Sequence, residues 1–138
     1  MQYTQALAYI HAHNRFGMKL GLERMRSLMT MLGDPQEKLK FVHVAGTNGK
    51  GSTAAMTAAI LRQAGYRTGL YISPYILDFC ERMQVNGEMI PHEQLAELVE
   101  KLRPFADRVE GLTEFELVTA LGFLWFAGQK CDVVVLEV

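Results

Sequence analysis

The sequence predicts an α/β fold, a mostly parallel sheet with helices on both faces, and three stretches carry that expectation. First, a short apolar run (Phe41, Val42, Val44, Ala45) enters a loop with glycines at 46, 49 and 51, and an Ala-rich helical stretch follows from about Ser52 to Ala64. Second, Gly65 closes that helix and residues Thr68 to Ile72 read as another strand. Two strands joined by a helix in about thirty residues make a βαβ unit, hence a parallel pair with a right-handed crossover. Third, Val133 to Leu136 is an unbroken apolar run, the mark of a central parallel strand covered on both faces.

Size and composition agree with this class. A chain of 138 residues suits one domain with a substantial core, and 49% hydrophobic with 21% charged residues is ordinary for a globular protein. A net charge of −1, with Lys and Arg scattered along the chain, gives no electrostatic case for nucleic acid or an anionic membrane surface. Cys80 and Cys131 are too few and too far apart for a disulfide framework or a metal knuckle. No apolar run reaches the roughly 18–20 residues of a membrane span, and the N-terminus lacks a basic-then-apolar leader, so a cytoplasmic protein is expected.

The remaining elements follow from periodicity and caps. Residues 3–13 read as an amphipathic helix with Leu7, Ile10 and Tyr3 on one side. His11 and His13 sit two apart, on different faces, which argues against a metal pair. Leu22, Met25, Leu28, Met29 and Leu32 repeat at helical spacing as a packing stripe, and Gly33 supplies the C-cap. Asp34-Pro35 opens a polar connector to the first strand. Residues 83–90, with Asn86-Gly87 at their centre, suit a hairpin. Pro91 fits the first position of an amphipathic helix through Leu95, Leu98, Val99 and Leu102, which Pro104 kinks or ends. Thr113-x-x-Glu116 is a capping box, and the helix it opens is apolar almost all round through Phe126, as for a helix buried against a sheet.

The chemistry concentrates around the first loop. Strand, glycine loop and helix surround an anion with backbone N–H groups and a helix N-terminus. Lys50 adds a positive charge beside terminal phosphates, and Ser52 or Thr53 offers a hydroxyl to magnesium. The usual G-x-x-x-x-G-K-[ST] pattern is not met: the earlier glycine is three residues before Gly49, and Gly51 separates Lys50 from Ser52. A Gly-rich turn with a surface lysine is the plain alternative, opposed by the flanking strand and helix. Glu137 ends the apolar run beside this loop, where a carboxylate costs several kcal/mol unless paired, protonated or metal-bound. An acidic strand end next to a phosphate loop is how nucleotide-hydrolysing proteins hold magnesium; the alternative is a carboxylate that simply reaches solvent.

The run His43-Val44-Ala45-Gly46-Thr47-Asn48-Gly49-Lys50-Gly51-Ser52 resembles the nucleotide loop of the folylpolyglutamate synthases, within the Mur ligase superfamily of ATP-dependent amino-acid ligases. The similarity runs from about Gly21 to Val138 and includes Gly21-Leu22-Glu23-Arg24, Ser73-Pro74-Tyr75-Ile76 with Glu81-Arg82, Thr113-Glu114-Phe115-Glu116, and Leu136-Glu137-Val138. The resemblance implies a P-loop, Mur-ligase-type ATP-binding domain, here truncated, with residues 1–138 its N-terminal part and the C-terminal domain absent. It implies that Gly46, Thr47, Asn48, Gly49, Lys50, Gly51, Ser52 and Thr53 hold ATP, and that Ser73, Glu137 and, as a further candidate, Ser52 hold Mg2+. It makes Lys50, Glu137 and Ser73 the catalytic set. It places Thr113, Phe115, Glu116, Arg82, His13 and Asn14 at the substrate, Phe115 by stacking on a pterin ring. For Glu116 the capping role suffices alone, and a solvated surface position is the alternative for Arg82.

The implied activity is ATP-dependent addition of L-glutamate to a folate carboxylate through an acyl phosphate, with dihydropteroate as another possible acceptor. A monomer acting on small molecules is expected, without nucleic acid or membrane. In the family a second magnesium site and a second domain lie further along, so this stretch alone is expected to be inactive. Two alternatives stand: a ligase acting on a UDP-linked muramoyl peptide, opposed by Gly51 and the Thr-Glu-Phe-Glu segment, and a nucleotide-binding module without ligase activity.

Overall fold

A computed structural model describes residues 1–14, 22–45, 49–73 and 77–137, the side chain of Lys50 excepted. The chain divides into two compact units: residues 1–36 with 92–125, and residues 37–91 with 126–138.

The first unit is helical. It holds α1 (Tyr3–His11), α2 (Glu23–Met31), α4 (His92–Ala106) and α5 (Glu114–Gly128) up to Trp125. Ala6 and Ile10 bury the inner side of α1, and Tyr3 stacks on His92 with ring centroids 3.7 Å apart. Gly33, at φ +86°, closes α2 in the left-handed conformation that favours glycine. The expected packing stripe of α2 is only partly buried: Leu28 and Met29 are inside, but Leu22 is 63% exposed. Leu22 lies just before the helix as its cap, where helical spacing no longer dictates direction. Pro104 sits in the last turn of α4, where only two more residues are helical. Helix α5 buries Leu117, Val118, Ala120 and Leu121, and Trp125 Nε1 donates to Gln94 Oε1 at 3.0 Å.

The second unit carries a five-stranded sheet of β1 (Phe41–Val44), β2 (Thr68–Tyr71), β3 (Met83–Val85), β4 (Glu88–Met89) and β5 (Val133–Glu137), in the order β1-β5-β2-β3-β4. The three strands β1, β5 and β2 run parallel, while β3 and β4 add antiparallel pairs at one side. The parallel relation of β1 and β2 expected from the βαβ unit holds, but β5 lies between them. The physical reason is apolarity: Val134 and Val135 are fully buried, and only a central place covers both faces of such a strand. The hairpin forms at Asn86-Gly87, whose φ values of +52° and +83° suit a tight two-residue turn. Asn86 also ties it to β2, its Oδ1 accepting from Thr68 N at 2.9 Å.

Within this unit a helix packs on the sheet. Helix α3 (Lys50–Gln63) lies on one side, where Ala55, Ala58 and Arg62 line a small cavity with Thr68, Leu70 and Gln84. Successive strand residues point to opposite faces, so Gly69 faces away from α3. A Cβ added there would meet Phe126 Cδ1, at the end of α5, at 2.8 Å. Among the described residues no helix is long and apolar enough to cross a membrane.

Candidate functional site

Strand register assembles the first cluster. Glu137 pairs with Val44, the last residue of β1 before the glycine loop, while Tyr71 pairs with Leu136 on the other side of β5. The end of β5 is therefore flanked by the loops after β1 and after β2, the edge at which open parallel sheets bind ligands. Glu137 is 5% exposed, and its Oε2 accepts a hydrogen bond from Ser73 N at 3.1 Å. The two residues expected to share a magnesium ion, sixty-four positions apart, thus meet directly.

Gly49 caps α3 from a left-handed conformation, φ +73°, and the first helical bond runs from Thr53 N to Gly49 O at 2.9 Å. Among the described residues no side chain caps this helix, and the N–H groups of a helix's first turn have no acceptor within the helix itself. Ser52 and Thr53 are exposed on that first turn. Gly46, Thr47, Asn48 and the Lys50 side chain lie outside the described residues.

Arg82 differs from a solvated surface position. It is half-buried rather than solvated, and its guanidinium lies 5.1 Å from the centroid of the Phe79 ring. A preceding turn explains this placement: Asp78 and Glu81 cap it, with Cys80 N donating to Asp78 Oδ1 at 2.9 Å and Asp78 N to Glu81 Oε2 at 2.9 Å. Both cysteines are buried thiols outside any disulfide, and burial pushes the Cys131 thiol up to about 11.

The second cluster stands in the helical unit, at the start of α5. Both limbs of the capping box form: Thr113 N donates to Glu116 Oε1 at 3.0 Å, and Glu116 N donates to Thr113 Oγ1 at 3.1 Å. Arg24 Nε adds a third donor to the same carboxylate oxygen at 2.8 Å. Burial alone would raise the Glu116 carboxyl, but the bonds from Arg24 and Thr113 outweigh it and hold the group below the usual carboxylate range. Phe115 is 50% exposed between these pinned neighbours. His13 is half-buried, its Nδ1 2.9 Å from Tyr9 O, and its carbonyl accepts from Glu114 N at 2.9 Å. Asn14 is exposed next to it. His11 is exposed too, yet held by Glu114 at 2.6 Å. Arg24 is the residue whose part in this cluster sequence reasoning missed, because its partner lies ninety-two residues away.

No protein-family model matches the chain. It is 45% identical, over 141 residues, to the dihydrofolate synthase/folylpolyglutamate synthase of Bacillus subtilis, covering 98% of this chain and 33% of that protein. Among solved structures, the apo form of L. casei FPGS superposes with a TM-score of 0.93 at 40% identity, over 100% of this chain and 35% of that one. An FPGS complex with AMPPCP and folate gives a TM-score of 0.93 at 39% identity, with the same coverage of 100% and 35%. The chain therefore spans about a third of the length of the relatives it matches. In sequence and in fold the chain is similar over its whole length to the N-terminal portion of folylpolyglutamate synthases.

Proposed function

We propose that the whole protein is an ATP-dependent ligase that joins L-glutamate to the carboxylate of a folate, acting as a cytoplasmic monomer. The observation that carries this reading is the meeting of Ser73 and Glu137 at the end of β5, in register with the strand that leads into the glycine loop. A solved FPGS with AMPPCP and folate bound supports the substrate pair.

A carboxylate is a poor electrophile, and the proposed reaction corrects this in two steps. A folate carboxylate oxygen attacks the terminal phosphorus of ATP, forming an acyl phosphate and releasing ADP. The amine of glutamate then attacks the acyl carbon, and the C–O bond to phosphate breaks. The backbone donors at the start of α3 and the Lys50 ammonium hold the phosphates where charge develops. Ser73 N–H orients the Glu137 carboxylate toward the loop edge. Phe115 offers an exposed aromatic face to the pterin.

Carboxylate and hydroxyl oxygens form a hard donor set suited to magnesium, and a buried carboxylate at this edge matches it. Glu137 with Ser73, and Ser52 as a further ligand, would hold the ion, which when bound neutralises charge on the transferring group. Dihydropteroate is a second acceptor in the same reading.

The test is product mass. The full-length protein with Mg·ATP, glutamate and tetrahydrofolate should give a folate heavier by one glutamyl residue. Lys50→Ala and Glu137→Gln should each lower kcat by at least about 100-fold. A product formed equally well by both variants would remove the proposed site.

A further inference from the structure

The capping box at the start of α5 is complete without Arg24. Thr113 N donates to Glu116 Oε1, the Thr113 hydroxyl also donates to it at 3.1 Å, and Glu116 N donates back to that hydroxyl. A helix start needs no more than this. Arg24 nevertheless crosses from the first turn of α2 to the same oxygen, and both side chains are largely enclosed, at 16% and 11% exposed. Its stem runs beside the turn that precedes α5: a Cβ built on Gly111, at φ +77°, would lie 3.9 Å from Arg24 Cδ. On the other side of Phe115, Glu114 is fixed by His11 Nδ1 at 2.6 Å and by its own N–H to His13 O. The residue between these two pinned glutamates is the exposed one.

We propose that Arg24 is a positioning residue for substrate: by clamping Glu116 it fixes the first turn of α5, so that the Phe115 ring is presented ready-oriented to the pterin. The role rests on the folate reading above, in which Phe115 stacks on the substrate. The advantage of such a clamp is entropic, because a ring already held in its binding orientation loses little freedom when the ligand arrives. Arginine suits the task through its rigid planar fork, whereas lysine would offer a mobile point charge.

The experiment uses the full-length protein and two readouts. The first is the 19F spectrum of 4-fluorophenylalanine placed at position 115, without any substrate. One narrow line is expected in the parent, displaced or split in Arg24→Met and only partly restored in Arg24→Lys. The second is steady-state kinetics, in which Arg24→Met should raise the KM for the pterin substrate about tenfold while the KM for ATP stays within about twofold. Should Arg24→Met fail to fold, Arg24→Met combined with Glu116→Gln, which leaves no unpaired charge, carries the same comparison. An unchanged 19F line, or KM values for ATP and pterin that rise together, would overturn the positioning role. A displaced 19F line in a protein with no pterin-dependent turnover would support the clamp and reject the folate reading instead.

Discussion

Glu116 carries its structural role on one atom. Its Oε1 takes three donors from within the protein, while Phe115 beside it is half exposed. Removing the hydroxyl in Thr113→Ala should cost about 1 kcal/mol, the usual worth of a cap, read as a shift in the urea midpoint. The pH dependence has a definite sign. Because the folded carboxyl is held below the ordinary glutamate value of about 4.3, the unfolded chain binds more protons in acid. The contribution is fully present above that value and is lost as pH falls through the folded pKa. Acid unfolding curves should therefore be flatter below about pH 4 for Glu116→Gln than for the parent, although the variant is less stable at neutral pH. The capping box was legible as a local pattern of Thr and Glu. Arg24 was not, because a contact between helices ninety-two residues apart leaves no trace in spacing.

At the scale of elements, the strands and helices followed from apolar runs, caps and turns, each written within a few residues. Gly33, Asn86-Gly87 and the Thr113 box all stop or start elements where their backbone chemistry requires. Neighbour order in the sheet is a different kind of information. Nothing near β1 or β2 says that a strand more than sixty residues later will part them; its unbroken valines indicate only that it must be central. Gly69 makes the point in packing terms. A methyl group added there would press into the fully buried Phe126 ring, whose Cδ1 would lie 2.8 Å away. Gly69→Ala should destabilise by about 1–3 kcal/mol, and Gly87→Ala by about 1 kcal/mol for its left-handed backbone, both measured by thermal or urea unfolding.

For the molecule as a whole, the two candidate clusters lie in separate compact units, the phosphate edge with the sheet and the Phe115 turn with the helices. The proposed phosphate edge rests on a short segment whose atoms suit nucleotide chemistry, and Glu137 stands out in the sequence as an acid closing an apolar strand. That its partner would be the backbone N–H of Ser73 depended on sheet register, which only the folded chain supplies. The central claim is that this edge serves a ligase for folates. The most direct measurement is ADP release by the full-length protein with Mg·ATP and glutamate, comparing a tetrahydrofolate, dihydropteroate and a UDP-muramoyl peptide. The account predicts release that requires a pterin substrate and disappears in Lys50→Ala and Glu137→Gln. Release with the muramoyl peptide alone, or equal release with no carboxylate substrate at all, would contradict it.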